Sequence, residues 1–207
     1  MGTFWRFGAV IAIVALLAGV TGATAASSPA AYFPLGQGTV WTYRTNTHGD
    51  IVMKVGPAAK VGTYGCRIIE TVVGGNTTQR ECYGVEGDGV YAYERSYPAG
   101  TMRLDPPQRV LASPMAVGQA WEWTGRLGDQ EVTLKYTWAR REKVQVPAGS
   151  FDAMQLYFEG LIPPNVQVQT WRWFASGVGM VKEDSLVTQA SQQMRVYAEL
   201  VSVKILK

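Results

Sequence analysis

An antiparallel all-β protein is what this sequence predicts, and three observations carry the prediction. Aromatic residues are abundant (7 Trp, 10 Tyr, 6 Phe) beside 23 Gly and 10 Pro, a mixture that favours strands and turns over long helices. Apolar and polar residues alternate one by one through several segments, the period of a half-buried strand. Turn-forming pairs follow one another too closely for repeated helical crossovers. With 207 residues, 47% hydrophobic and 17% charged, the chain can bury one continuous core and lacks the composition of a disordered polymer. Its formal charge is +3, and the basic residues are scattered without a Lys/Arg run, so it carries no nucleic-acid footprint.

The first element reads as an address. Arg6 precedes the apolar run Ala9 to Val20, and the small residues Thr21-Gly22-Ala23-Thr24-Ala25-Ala26 follow. This is a signal peptide, residues 1–25, with cleavage after Ala25 in an A-x-A setting, or after Ala26. An uncleaved anchor is the alternative, but the run falls short of the ~20 apolar residues a spanning helix needs. No cysteine follows it to accept a lipid. The expected product is a single β domain, residues 26–207, periplasmic or secreted, with no transmembrane segment.

Ile51, Met53 and Val55 form one early strand, a shorter counterpart of the clearer ones later in the chain. Further on, Cys66 and Cys82 flank Val73-Gly74-Gly75, which has hairpin-turn chemistry. A register that sets them opposite also pairs Arg67 with Glu81, so we expect a disulfide-stapled hairpin. A redox or metal pair is the alternative; there is no C-x-x-C and no His/Cys cluster to complete one.

The chain then repeats itself. Pro34-Leu35-Gly36-Gln37-Gly38-Thr39-Val40-Trp41-Thr42-Tyr43 and Pro114-Met115-Ala116-Val117-Gly118-Gln119-Ala120-Trp121-Glu122-Trp123 share the pattern P-[LM]-x-x-G-x-x-W-x-[YW]. Gly62-Thr63-Tyr64 then corresponds to Gly149-Ser150-Phe151, and Tyr83 with Gly89-Val90 to Phe174 with Gly179-Met180. The order as well as the content is kept, which divides the domain into two similar β units, about 32–95 and 112–185. The Pro-rich stretch Arg103-Leu104-Asp105-Pro106-Pro107 joins them, and Arg195 to Ile205 closes the chain as a last strand.

In the second unit Val132, Leu134, Tyr136 and Trp138 alternate with Glu131, Thr133, Lys135 and Thr137, giving one wet and one dry face. Met154, Leu156 and Phe158 repeat the pattern. Gly87-Asp88-Gly89 and Pro163-Pro164-Asn165 punctuate turns. From Val166 to Phe174 the apolar set changes phase near Thr170, so either a bulge turns the strand or both faces are covered. Ten or eleven strands result, and the expected architecture is an open or flattened antiparallel barrel of two tandem units.

Three stretches carry a family resemblance: Tyr32-Phe33-Pro34-Leu35 with Gly38 and Trp41-Thr42-Tyr43; Val146-Pro147-Ala148-Gly149-Ser150-Phe151-Asp152; and Trp173-Phe174-Ala175-Ser176-Gly177-Val178-Gly179-Met180-Val181-Lys182. In these the chain resembles a widespread bacterial family of exported proteins of uncharacterised function. The resemblance implies a fold similar in outline to lipoprotein-carrier half-barrels, a curved sheet around an apolar hollow. Many members are lipoproteins, whereas this chain lacks the lipid-attachment cysteine. The family brings no catalytic residues.

Little chemistry offers itself for catalysis. His48, the only histidine, sits in the turn-like Thr47-His48-Gly49-Asp50, and no G-x-S-x-G elbow is present. Glu183 and Asp184 are adjacent, face opposite ways if extended, and read as a solvated turn. Gly84 to Gly89 lacks the spacing of a phosphate or dinucleotide loop. An outer-membrane barrel would need longer runs of outward apolar alternation than these strands offer. No enzyme, cofactor or metal is expected. The aromatic excess points instead to a non-enzymatic carrier or sensor holding a lipid or other apolar molecule, lined by Trp41, Tyr43, Trp121, Trp123, Trp171 and Trp173. The alternative is a structural or interaction module that binds an envelope protein, with every Trp serving a filled core.

Overall fold

The computed structural model describes residues 28–206; the signal peptide read at residues 1–25 lies outside them. Twelve strands follow one another: β1 Val40–Thr45, β2 Gly49–Val61, β3 Tyr64–Val73, β4 Asn76–Glu86, β5 Gly89–Tyr97, β6 Gly100–Ala112, β7 Ala120–Leu127, β8 Gln130–Val146, β9 Gly149–Ile162, β10 Val166–Ala175, β11 Gly179–Gln189 and β12 Gln192–Lys204. Each pairs antiparallel with its neighbours in sequence, and β1 pairs with β12, so the sheet is a closed barrel. The open sheet of ten or eleven strands is therefore corrected to a closed one of twelve. Two stretches account for part of the undercount. Arg103–Pro107, read as a connector, lies inside β6, and Glu183-Asp184, read as a turn, lies in the middle of β11.

β6 can hold prolines because it leaves the ladder where they occur. Its register with β5 jumps from Ala92↔Gln108 to Glu94↔Arg103, so Leu104–Pro107 bulge out and Pro106 and Pro107 owe no hydrogen bond to β5. On its other side β6 makes a single register pair with β7, Asp105↔Arg126. Indoles replace the missing ladder. Trp123 Nε1 donates to the Pro106 carbonyl at 2.9 Å, Trp121 Nε1 to the Arg109 carbonyl at 2.9 Å, and Trp138 Nε1, from β8, to the Ala112 carbonyl at 3.2 Å. Gly125 makes room for this: a Cβ there would come within 2.3 Å of the Trp123 ring.

The two copies of the P-x-x-G-x-x-W pattern fold into the same turn. Gly38 N–H donates to the Val55 carbonyl and Thr39 N–H to Gly36; Gly118 N–H donates to Trp138 and Gln119 N–H to Ala116. Both glycines take a left-handed φ, 86° and 88°, which explains their place in the pattern. Trp41 and Trp121 are then the second residues of β1 and β7.

Cys66 and Cys82 form the expected disulfide, with Cα atoms 5.6 Å apart, on the outer face of the β3–β4 hairpin beside Val61 and Tyr93. The register differs from expectation. Val73 pairs with Asn76 across Gly74-Gly75, and an extra residue, Thr78, enters between Gln79 and Thr77, so Ile68 rather than Cys66 opposes Cys82. Arg67 consequently faces Tyr83, and its expected partner Glu81 pairs with Arg95 of β5.

The outer face is charged at mid-height. Glu70 of β3 bridges Lys54 of β2 at 3.1 Å and Arg80 of β4 at 3.0 Å, and Lys135 stands opposite Glu159 across β8 and β9. A lipid-facing barrel carries an apolar belt, which these charge pairs interrupt on β2–β4 and β8–β9.

The indole seam makes a stability prediction. Trp123→Phe keeps the ring but leaves the Pro106 carbonyl without its donor, so unfolding free energy should fall by about 1–3 kcal/mol. At roughly 2–4 °C per kcal/mol for a domain of this size, a thermal melt will resolve it.

Candidate functional site

Strand alternation directs one side chain in two to the barrel interior, and the interior has two unlike halves. Near the seam it is packed with rings. Trp121 stacks on Tyr136 at 5.1 Å, Tyr136 meets Phe158 at 5.2 Å, and Trp138 meets Phe174 edge-on at 6.3 Å. Away from the seam, between β1–β4 and β10–β12, packing is incomplete and leaves a cavity of about 240 Å³. Trp41, Ile51, Met53, Ile69 and Phe174 supply its apolar wall, with Thr71, Gln79, Arg172 and Glu183 on its polar side.

A segment ahead of β1 roofs this cavity. Pro29–Tyr32 forms a single 3-10 turn, and the Ala31 carbonyl accepts from Gly177 N–H at 2.7 Å. Phe33 lies with its ring 4.9 Å from that of Tyr83 and lines the cavity together with Pro34. Trp41 donates from Nε1 to the Val178 carbonyl at 2.7 Å, and Tyr43 from its hydroxyl to the Met180 carbonyl at 2.8 Å. Both rings thereby spend their polar atoms on the β10–β11 turn and the start of β11, leaving apolar faces to the hollow.

The polar side is built on the ion pair of Arg172 with Glu183, and a second ion pair, Arg95 with Glu81, is buried outside the cavity lining. Arg172 Nε, on β10, donates to Glu183 Oε2 on β11 at 2.6 Å; Ser185 donates to the other carboxylate oxygen at 3.2 Å and exchanges a 2.9 Å bond with Thr170. Arg95 Nε, on β5, donates to Glu81 Oε1 on β4 at 2.8 Å, and its Nη2 to Gln108, which in turn donates to the Tyr136 hydroxyl at 2.5 Å. Burial works against the charge of both arginines, but Glu183 and Glu81 respectively hold their guanidinium groups above the usual value. Burial likewise pushes the Tyr43 and Tyr83 phenols far upward, Glu183 adding to the first and Glu81 to the second, so both stay neutral donors. Arg172 keeps 34% of its side-chain surface accessible and is part of the cavity lining.

Of the six aromatic residues expected to line a hollow, the structure brings Trp41 and Tyr43 to the cavity. Trp121 and Trp123 point inward but belong to the seam. Trp171 and Trp173 are on the outer face: Trp171 packs on Tyr157 at 5.3 Å, and Trp173 donates from Nε1 to Glu142 at 2.6 Å, with the Lys182 ammonium 5.8 Å from its ring centre. No bulge occurs at Thr170. Val168, Thr170, Arg172 and Phe174 continue inward in strict alternation, and the ladder slips only between Trp173 and Phe174. The change of phase in β10 arises because the interior there is polar and the exterior aromatic.

Arg172 and Arg95 were not among the sequence candidates, and Glu183 and Glu81 were read only as part of a solvated turn and as the partner of Arg67. Their signal is a charge at an inward-alternating position with an opposite charge on the next strand, visible only when the register is known. His48 is in the exposed β1–β2 turn, bonded to Thr47. Among the described residues no three His, Cys, Asp or Glu side chains gather to hold a metal, and no helix is long and apolar enough to cross a membrane.

No protein-family model and no curated protein matches the chain. Two crystal structures resemble it. A candidate lipoprotein from Parabacteroides distasonis aligns with a TM-score of 0.51 and 14% identity, over 84% of this chain and 98% of its own. A candidate exported protein of YmcC-like fold from Bacteroides fragilis aligns with a TM-score of 0.46 and 15% identity, over 83% of this chain and 98% of its own. The first likeness shows a shared fold.

Two expectations follow. Glu81→Gln strands the Arg95 charge in the core and should lower unfolding free energy by about 3–5 kcal/mol in urea denaturation, whereas the double change Glu81→Leu with Arg95→Met should recover most of it. On the outer face, the Trp173 indole holds Glu142 below the usual carboxylate range, against burial and with help from Arg140. Because the folded value is the lower one, this contribution is full above the unfolded pKa of about 4.3 and fades as pH falls through the folded value. Glu142→Gln should therefore flatten the loss of melting temperature on acidification below about pH 4.5.

Proposed function

We propose that this chain is an exported, non-enzymatic protein that binds a small apolar or amphipathic molecule inside its barrel. The observation that carries the reading is the cavity of about 240 Å³ on one side of an otherwise ring-packed interior, with apolar walls and a charged pair at one side. Native interiors are close-packed, and a hollow this large left unfilled forfeits contacts along its whole lining. At ~30 Å³ per water it has room for about eight waters, or a molecule of roughly ten heavy atoms. That is one short acyl chain or one ring system, rather than a whole phospholipid. Export is supported by the disulfide, which persists in oxidising compartments, and by the signal-like run Ala9 to Val20. The matching turns at Gly38 and Gly118 support descent of the two halves of the barrel from one six-strand unit.

Ala198→Leu tests the reading without removing a contact. Ala198 lines the cavity, and the added carbons enter it. Titration with methyl octanoate, followed by Trp fluorescence or calorimetry, should show saturable binding to the native protein and a loss of about tenfold or more in the variant, whose stability should be unchanged or raised. Native protein that binds no such probe and carries no extractable apolar molecule from the envelope would overturn the proposal.

A further inference from the structure

The charge arithmetic of the cavity restricts what it can take, an inference that rests on the binding reading above. Arg172 and Glu183 are the charged residues of its lining, one positive and one negative, and they are already paired at 2.6 Å. The site is electrically closed. A carboxylate or phosphate entering it would either face the unneutralised Glu183 or pull Arg172 from its 2.6 Å partner, and an ammonium would do the reverse. In either case one charge would be left in a desolvated interior without a counter-charge.

Hydrogen-bonding capacity is nevertheless left over, and its charged part is all donor. Arg172 uses Nε on Glu183, while its two Nη groups make no hydrogen bond among the described residues. The guanidinium carbon sits 5.1 Å from the centre of the Phe158 ring, and the side chain lines the hollow. Tyr43 already donates its hydroxyl hydrogen bond to the Met180 carbonyl. The charged donors left over on Arg172 call for an acceptor on the guest, with the uncharged Thr71 and Gln79 elsewhere in the lining.

We propose that the ligand is an uncharged molecule with an apolar body and a carbonyl acceptor, an ester, amide or ketone, whose oxygen meets the Nη groups of Arg172 while its body lies against Trp41, Met53, Ile69 and Phe174. Recognition is then by a charge-assisted hydrogen bond that adds no net charge.

Four probes of similar length decide this at pH 8 in calorimetric titration: methyl octanoate, octanoate, octylamine and nonane. Methyl octanoate should bind tightest, with octanoate and octylammonium weaker by about tenfold or more, since each carries a net charge into the interior. The double variant Arg172→Met with Glu183→Leu keeps the interior charge at zero. It should bind nonane as the native protein does and lose the preference for the ester. A native protein that prefers octanoate, or a folded double variant that keeps the ester preference, overturns this inference while leaving the binding site standing. Failure of all four probes, nonane included, overturns the site itself.

Discussion

The seam between β6 and β7 is the constraint on which the rest of the molecule depends. A closed antiparallel barrel must satisfy every edge, yet β6 carries two prolines and bulges away from its partner, so a continuous ladder cannot form there. Three indole N–H groups take the carbonyls that a strand would otherwise have taken. To reach them, Trp121, Trp123 and Trp138 must lie inside the barrel against the wall, and the rings that stack on them, Tyr136 and Phe158 above all, are drawn to the same side. Closure therefore consumes much of the aromatic volume of the core. On the opposite side Trp41, Tyr43, Tyr83 and Phe174 stand among smaller aliphatic residues and the Arg172–Glu183 pair, and the cavity is what they leave unfilled.

Buried ion pairs are poor devices for stability, since apolar residues of equal volume commonly serve as well or better. Two of them stand at matching places in the two halves of this barrel, Glu81–Arg95 across β4 and β5 and Arg172–Glu183 across β10 and β11, with the signs exchanged. The two pairs are not used alike. Arg95 is fully engaged by Glu81 and Gln108, and through Gln108 it is tied to Tyr136 and the ring-packed side. Arg172 is tied by one nitrogen and keeps the rest of its guanidinium toward the hollow. The first pair is part of the packing; the second is the polar wall of a space.

The sequence made legible what depends on local chemistry. Alternation in Val132–Trp138, the glycines of the P-x-x-G-x-x-W turns and the paired glycines at 74 and 75 each encode a backbone conformation that no distant contact needs to correct. The cysteine pairing was readable for the same reason, while its register was not, because Thr78 inserts one residue that nothing in its neighbours announces. Tertiary effects hid the remainder. β10 looked ambiguous because its apolar side chains, Trp171 and Trp173, cover the outside while Thr170 and Arg172 face inward, an inversion that makes sense only with Ser185 and Glu183 beside them. Arg103–Pro107 looked like a connector because prolines rarely occur inside strands, and here they are tolerated by the same bulge that forces the indole seam.

The cavity is bounded by unlike elements on its different sides. The walls are continuous ladders: β1 with β2, β1 with β12, and β10 with β11 each pair along most of their length, so parting them breaks many hydrogen bonds at once. The thin seam at β6 is on the far side, and its rings fill the space behind it. The roof is built differently. One backbone hydrogen bond joins Ala31 to Gly177, one ring contact sets Phe33 on Tyr83, and Pro29 and Tyr32 are buried against the barrel. The same segment bears Phe33 and Pro34, which line the cavity, so the chain ahead of β1 completes the inner surface that the twelve strands leave unfinished.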